Sequence, residues 1–203
     1  MPANQIILGT HNEKKGIELD ELLRPHGLTV RTLREFEGPL HVIEDGDSFA
    51  ANARKKAVEQ ARHLGQWVLG EDSGLVVDAL GGAPGIHSAR FSGPDADDES
   101  NNQNLLTQLE KVPLAKRSAH YRCHVALADP EGIVRAESSG ECHGRILHRA
   151  IGSGGFGYDP LFEIVEYHRT FGQLGSAVKA VLSHRSRAIR ALIPRLVTLL
   201  SEP

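Results

Sequence analysis

The 203-residue sequence predicts an α/β protein built on a mixed β-sheet. Two observations lead there. Short apolar runs alternate with helical stripes along the chain, and one antiparallel hairpin interrupts that alternation. The composition is that of an ordinary globular protein, 40% hydrophobic and 24% charged, long enough for one large domain or two lobes sharing a core.

Gln5 to Leu8 reads as a short buried strand ended by Gly9. Asn12 is a good N-cap for a helix running to about Arg24, before Pro25 and Gly27, with Leu19, Leu22 and Leu23 on one face. Leu28 to Leu33 is a second strand. Phe49, Ala53, Ala57 and Ala61 recur every four residues, a helical stripe capped by Asp47 or Ser48. Trp67 to Leu69 leads into Glu71-Asp72, a Ser73-Gly74 turn and the apolar run Leu75-Val76-Val77. Gly81, Gly82, Pro84 and Gly85 then break regular structure. Ser100 to Leu109 reads as helix, with 95-DADDE-99 as its solvated start. Ala119, Tyr121, Cys123, Val125 and Leu127 alternate as a half-buried strand, which turns at 129–132 and returns from Ile133. Ser183 caps a last helix with Ile189, Leu192, Ile193, Leu196 and Leu200 inward and a kink expected at Pro194.

Several classes are excluded. A net charge of −3 provides no basic footprint for general nucleic-acid binding. No segment has the unbroken apolar length to span a bilayer, and MPANQIILGT lacks the basic and apolar regions of a signal peptide. The hairpin places Cys123 opposite about Ser138 rather than Cys142, so no disulfide is expected. That suits a reducing cytoplasm. His120 and His124 share a strand face without a clear third metal ligand, and no G-x-S-x-G elbow is present.

Five segments carry chemistry. In 9-GTHNEKK-15, a strand gives way to a helix whose N-terminus can face an anion, with Lys14 and Lys15 adding charge; an ordinary capped turn reads the same. In 44-EDGDSFAANARKKA-57, the acids either complement a helix dipole or offer Glu44 to a cation. Glu71 and Asp72, joined by Glu44, would make an oxygen-only cluster suited to Mg²⁺; otherwise one acid caps a turn and the other is solvated. The four glycines and two aromatics of 152-GSGGFGYDP-160 suit a flat base, or simply anchor a loop. In 179-KAVLSHRSRA-188, Lys179, His184 and Arg185 gather positive charge at a helix start: alone this reads as a solvated basic face, although such charge opposes the dipole and so also suits a bound anion.

Together, in this order, the segments resemble the inosine/xanthosine triphosphate pyrophosphatase family. The matches are T-x-N-x-x-K (Thr10, Asn12, Lys15), E-x-G-x-S-F-x-x-N-A-x-x-K-A (Glu44 to Ala57), D-S-G-L-x-V-D-A-L-G-G-A-P-G-I-x-S-A-R (Asp72 to Arg90), G-G-F-G-Y-D-P-L-F (Gly154 to Phe162) and S-H-R-x-x-A (Ser183 to Ala188). They span almost the whole chain. The resemblance implies a single ITPase-like domain over 1–203: a long central mixed β-sheet with flanking helices, two lobes around a substrate cleft, and a cytoplasmic homodimer. It implies Mg²⁺-dependent hydrolysis of ITP, dITP and XTP to the monophosphate and pyrophosphate, with no nucleic-acid or membrane partner. Thr10, His11, Asn12, Glu13, Lys14 and Lys15 would hold the triphosphate. Glu44, Glu71 and Asp72 would ligate Mg²⁺, with Asp72 as base and Lys15 stabilising charge. Ser73 would touch substrate. Phe156, Gly157, Tyr158 and Asp159 would line the base pocket, and Lys179, His184 and Arg185 would read the base. Three features depart from the family pattern: Glu71 stands where bacterial members carry Asp, His11 replaces a small residue, and 171-FGQLGSAVK-179 has Gln173 for Glu and Ala177-Val178 for an acidic pair.

Overall fold

Seven strands form one mixed sheet in the order β2-β1-β3-β4-β5-β6-β7. The structure, a computed structural model, describes residues 4–201, and side chains through 200. Residues 1–3, where the segment read for a leader begins, lie outside the described residues, as do 202–203. The strands are β1 (Gln5–Leu8), β2 (Thr29–Thr32), β3 (Val68–Val77), β4 (Ser118–Ala128), β5 (Val134–Ile146), β6 (Phe162–Ile164) and β7 (Arg169–Thr170). The helices are α1 (Glu13–Leu23), α2 (Phe49–Leu64), α3 (Asp98–Gln108), α4 (Ser176–Leu182) and α5 (His184–Ser201).

The sheet is parallel on one side and antiparallel on the other. β1 pairs in parallel with β2 (Gln5 with Thr29) and with β3 (Ile7 with Val68). β6 is antiparallel to both β5 and β7. The expected hairpin joins β4 and β5: Gly132 donates its N–H to the carbonyl of Asp129, and Asp129 to that of Ile133.

The chain divides into two compact units. The first comprises residues 1–72, 123–140 and 185–203; the second comprises 73–122 and 141–184. In the first unit, one face of the sheet buries Ile6, Leu8, Leu69, Cys123 and Val125 against Leu19, Leu23, Ile189, Leu192 and Leu196 of α1 and α5. The other face packs Ile7, Val68, Ala126 and Ala128 on the alanine stripe Ala53, Ala57 and Ala61 of α2. The second unit has its own core, in which Leu75, Leu105, Tyr121, Ile146, Tyr158, Phe162 and Phe171 meet. Both cysteines are free and buried.

One detail differs from the sequence reading. Ser73-Gly74 is no turn: β3 runs unbroken from Val68 to Val77. The seryl-glycyl pair is carried by strand neighbours, and Ser88 Oγ accepts the Leu75 N–H at 2.9 Å. Pro194, where a kink is expected, lies inside the last helix, which runs from His184 to Ser201.

Candidate active site

The continuity of β3 sets the geometry of the first unit. Successive strand side chains point to opposite faces. Glu71 therefore joins the side of α1, and Asp72 the side of α2.

On the α1 side, Asn12 caps the helix by accepting the Lys15 N–H at 3.2 Å, and Thr10 Oγ1 accepts the Asn12 N–H at 3.2 Å. This capped start aims Lys15 at β3, where its Nζ lies 2.6 Å from Glu71 Oε2. Glu71 is only 1% exposed. Its other oxygen accepts from Arg185 Nε and Nη2 at 3.3 and 3.2 Å, while Arg185 Nη1 reaches Glu18 at 2.5 Å. The buried Cys123 thiol donates to the same Glu71 oxygen at 3.4 Å. Burial pushes the Glu71 carboxyl up, but Lys15, Arg185 and Lys56 outweigh it and hold the group well below the usual carboxylate range. For Arg185, burial opposes the charge and the carboxylates of Glu71 and Glu18 more than restore it. His11, Glu13 and Lys14 are exposed, and Glu13 pairs with Arg34 at 2.7 Å.

On the α2 side, Ser48 caps the helix and accepts the Ala51 N–H at 3.2 Å. Asn52 and Lys56 are four residues apart and share one helical face. Asn52 Nδ2 donates to Asp72 Oδ2 at 3.1 Å, and Lys56 Nζ donates to Asp72 Oδ1 at 3.2 Å and to Glu44 Oε2 at 2.8 Å. Gly70 permits this approach, because a Cβ there would collide with the carbonyl of Ala53. Asp72 is raised to about 6: burial is the largest cause, Lys56 opposes it, and the negative charges of Glu44 and Glu71 add to it. Glu44 is lowered, because Lys56 overcomes the effect of burial. Lys56 is raised against its burial by Asp72, Glu44 and Glu71.

A cation therefore already sits between Glu44 and Asp72, and Asp72 remains under-compensated. Among the described residues no group of three or more His, Cys, Asp or Glu side chains is arranged to hold a metal. Two carboxylates and no nitrogen or sulfur ligand is nonetheless a donor set that fits a hard cation completed by phosphate oxygens and water.

The second unit gathers the remaining candidates. Asp159, 2% exposed, accepts from the Phe156 N–H at 2.9 Å, from Lys179 Nζ at 2.6 Å and from Tyr121 Oη at 3.3 Å. Lys179 Nζ also stands 4.2 Å from the centroid of Phe156. His184 stacks on Tyr121 with centroids 4.7 Å apart. Tyr158 donates to the Ser88 carbonyl at 2.8 Å. Phe156 is half-buried and so available to a flat ligand. Gln173 accepts the Thr170 N–H at 3.1 Å, closing its own turn. Lys56, Glu18 and Tyr121 were assigned no role from sequence. The motif from Glu44 to Ala57, which specifies Asn52 and Lys56 four residues apart, is the sign that singles out Lys56.

The motifs, the sheet and these two side-chain clusters define the class. Residues 6–195 match the Ham1 family, and the chain belongs to that family. It is 54% identical over 194 residues to the dITP/XTP pyrophosphatase of Rhodopirellula baltica, covering 96% of this chain and 93% of that one. It is 48% identical to the dITP/XTP pyrophosphatase of Desulforamulus reducens, over 92% of both chains. Among solved structures, the Staphylococcus aureus Ham1 protein matches with a TM-score of 0.84 at 32% identity, covering 96% of this chain and 99% of that one.

Proposed function

We propose that the protein hydrolyses non-standard purine nucleoside triphosphates, ITP, dITP and XTP, to the monophosphate and pyrophosphate, with Mg²⁺ as cofactor, and so clears deaminated purines from the nucleotide pool. The observation that carries this is the convergence of Glu44 and Asp72 on one cation position, 2.8 and 3.2 Å from Lys56 Nζ, in a chain so similar to proteins named dITP/XTP pyrophosphatases.

Glu44 and Asp72 would hold the metal, which when bound supplies charge neutralisation on the phosphates. Asp72, raised to about 6 by burial in the metal-free protein, would take a proton from water attacking the α-phosphorus. The bond from that phosphorus to the bridging oxygen then breaks, and pyrophosphate leaves. Thr10, Asn12 and Lys15 would bind the triphosphate, with Lys15 balancing the charge that develops there. His11, Glu13, Lys14 and Ser73 would line the same path. Glu71, whose oxygens are taken by Lys15 and Arg185, would act by placing Lys15 rather than by ligating metal. Phe156 would stack on the base, with Gly157, Tyr158 and Asp159 around it. Lys179 and His184 would offer donors to a 6-keto oxygen, which a 6-amino group cannot accept. Arg185 would support this end through its backbone continuity with His184. The protein would act in the cytoplasm as a homodimer; among the described residues no helix is long and apolar enough to cross a membrane.

The test is pyrophosphate release from ITP, XTP, GTP and ATP, with Mg²⁺ and with EDTA. Metal-dependent release from ITP and XTP, with little from GTP and ATP, is expected. Equal release from all four would discard the base pocket, and no release from any would discard the enzyme.

A further inference from the structure

The loop that carries Phe156 is rich in glycine, and glycine leaves a backbone with many accessible conformations. Something must fix it before an aromatic ring there can meet a base in one orientation. Within the loop, Asp159 accepts the Phe156 N–H. The next residue, Gly157, has a left-handed backbone, φ +61°, and both of its peptide groups are held from α3. Its N–H donates to Asp98 Oδ2 at 2.9 Å, and its carbonyl accepts from Asn102 Nδ2 at 2.9 Å. Asp98 and Asn102 are four residues apart, so they rise from one helical face. One supplies an acceptor and the other a donor, which matches the N–H and the C=O that Gly157 contributes to its two flanking peptide groups.

Two further observations indicate that this contact serves the loop rather than the helix. Asp97, not Asp98, caps α3, accepting the Ser100 N–H at 2.7 Å. Asn102 Oδ1 is buried with no hydrogen-bond partner, so the amide's bond to Gly157 is made despite an uncompensated acceptor. Beside the loop lies a cavity of about 410 Å³, lined by Asp98, Asn102, Leu106, Gly154, Phe156 and Gly157 among others. Side-chain packing does not fill that side, so there the loop is held by these two hydrogen bonds, while Asp159 holds it from within.

We propose that Asp98 and Asn102 are positioning residues for base recognition: by gripping Gly157 they hold Phe156 in the orientation that stacks on the purine. This rests on the reading of that loop as the base pocket. The role of Asp98 is to accept a hydrogen bond, so Asn at that position should suffice.

The experiment compares the full-length wild type with Asp98→Ala, Asn102→Ala and Asp98→Asn. It reads ITP turnover, thermal stability and hydrogen exchange at the Gly157 amide. Each alanine variant is expected to raise KM for ITP about five- to tenfold, the worth of one lost hydrogen bond, with kcat within about twofold. Gly157 should exchange faster while the rest of the chain keeps its protection. Asp98→Asn should restore KM and protection. An unchanged KM in both alanine variants, with Gly157 exchanging faster, would overturn the inference while leaving the enzyme assignment intact. A KM effect that follows thermal stability and is not rescued by Asp98→Asn would reduce the pair to a structural contact and also overturn it. A wild type that does not hydrolyse ITP would fail earlier, at the proposed function itself.

Discussion

Glu71 and Asp72 are adjacent in sequence yet answer to different lysines: Glu71 Oε2 lies 2.6 Å from Lys15 Nζ, and Asp72 Oδ1 lies 3.2 Å from Lys56 Nζ. Strand alternation puts the two like charges on opposite faces and gives each its own cation, although the Glu71 charge is still felt at Asp72. The pairs are not equivalent. Glu71 is held well below its usual range, whereas Asp72 is raised.

Glu71→Gln should therefore act on stability more than on metal use. It strips Lys15 and Arg185 of their shared anion in a site where Arg185 is 2% exposed. Breaking a buried pair on one side costs about 3 kcal/mol. Urea unfolding should show that loss with and without Mg²⁺, while the Mg²⁺ concentration giving half-maximal rate stays near the wild-type value. A selective loss of metal affinity would restore Glu71 as a ligand.

Asp72→Asn should keep nucleotide binding and lose about 10²- to 10⁴-fold in turnover, the range for a removed general base. Calorimetry with ITP and a pyrophosphate assay separate the two effects.

The raised pKa of Asp72 sets a sign for pH dependence. Its folded value, about 6, lies above the ordinary aspartate value of 3.8. The folded, metal-free protein thus holds this proton more tightly than the unfolded chain, and ionising Asp72 costs stability as pH rises from about 4 to about 6. Two outcomes follow. Without metal at neutral pH, Asp72→Asn should melt higher than the wild type; with saturating Mg²⁺ the order should reverse. The apparent Mg²⁺ affinity of the wild type should also fall as pH drops through about 6, because the metal competes with the proton. Melting curves and metal titrations across that range check both.

Lys56→Met leaves Glu44 and Asp72 without the cation they now share. The metal-free variant should lose about 3 kcal/mol, and Mg²⁺ should recover more stability in it than in the wild type. Equal recovery would mean that the metal does not bind between those carboxylates.

Gly70→Ala tests how closely α2 must approach β3. The added methyl meets the Ala53 carbonyl, so the helix must withdraw, carrying Asn52 and Lys56 from Asp72. A loss of about 1–3 kcal/mol is expected from overpacking, with turnover falling further than the folded fraction does.

What could be read from sequence was local. Asn12 and Ser48 announce their helices because a cap bonds within three residues, and the alanine stripe of α2 states its buried face. The carboxylates at 44, 71 and 72 were visible as acids, but not as members of different faces, because Ser73-Gly74 suggested a turn where the strand continues. Glu18, Tyr121, Asp98 and Asn102 carried no local sign. Their partners lie far away in the chain: Glu18 meets Arg185 across 167 positions, and Asn102 meets Gly157 across 55. Asp98 read as one more solvated acid in an acidic run, and only the folded chain shows which of those acids holds a loop.

The thiol of Cys123, bonded to Glu71 within the core, has a consequence for chemistry that the protein avoids. Burial, with the Glu71 charge beside it, pushes this thiol well above its ordinary value. Peroxides and electrophiles react with the thiolate, not the thiol, and here the reactive form is both scarce and out of reach. The same oxidising conditions that damage nucleobases would then find no easy handle at the centre of this protein. Exposure to hydrogen peroxide at levels that modify surface thiols should leave Cys123 unmodified and turnover intact for as long as the fold holds.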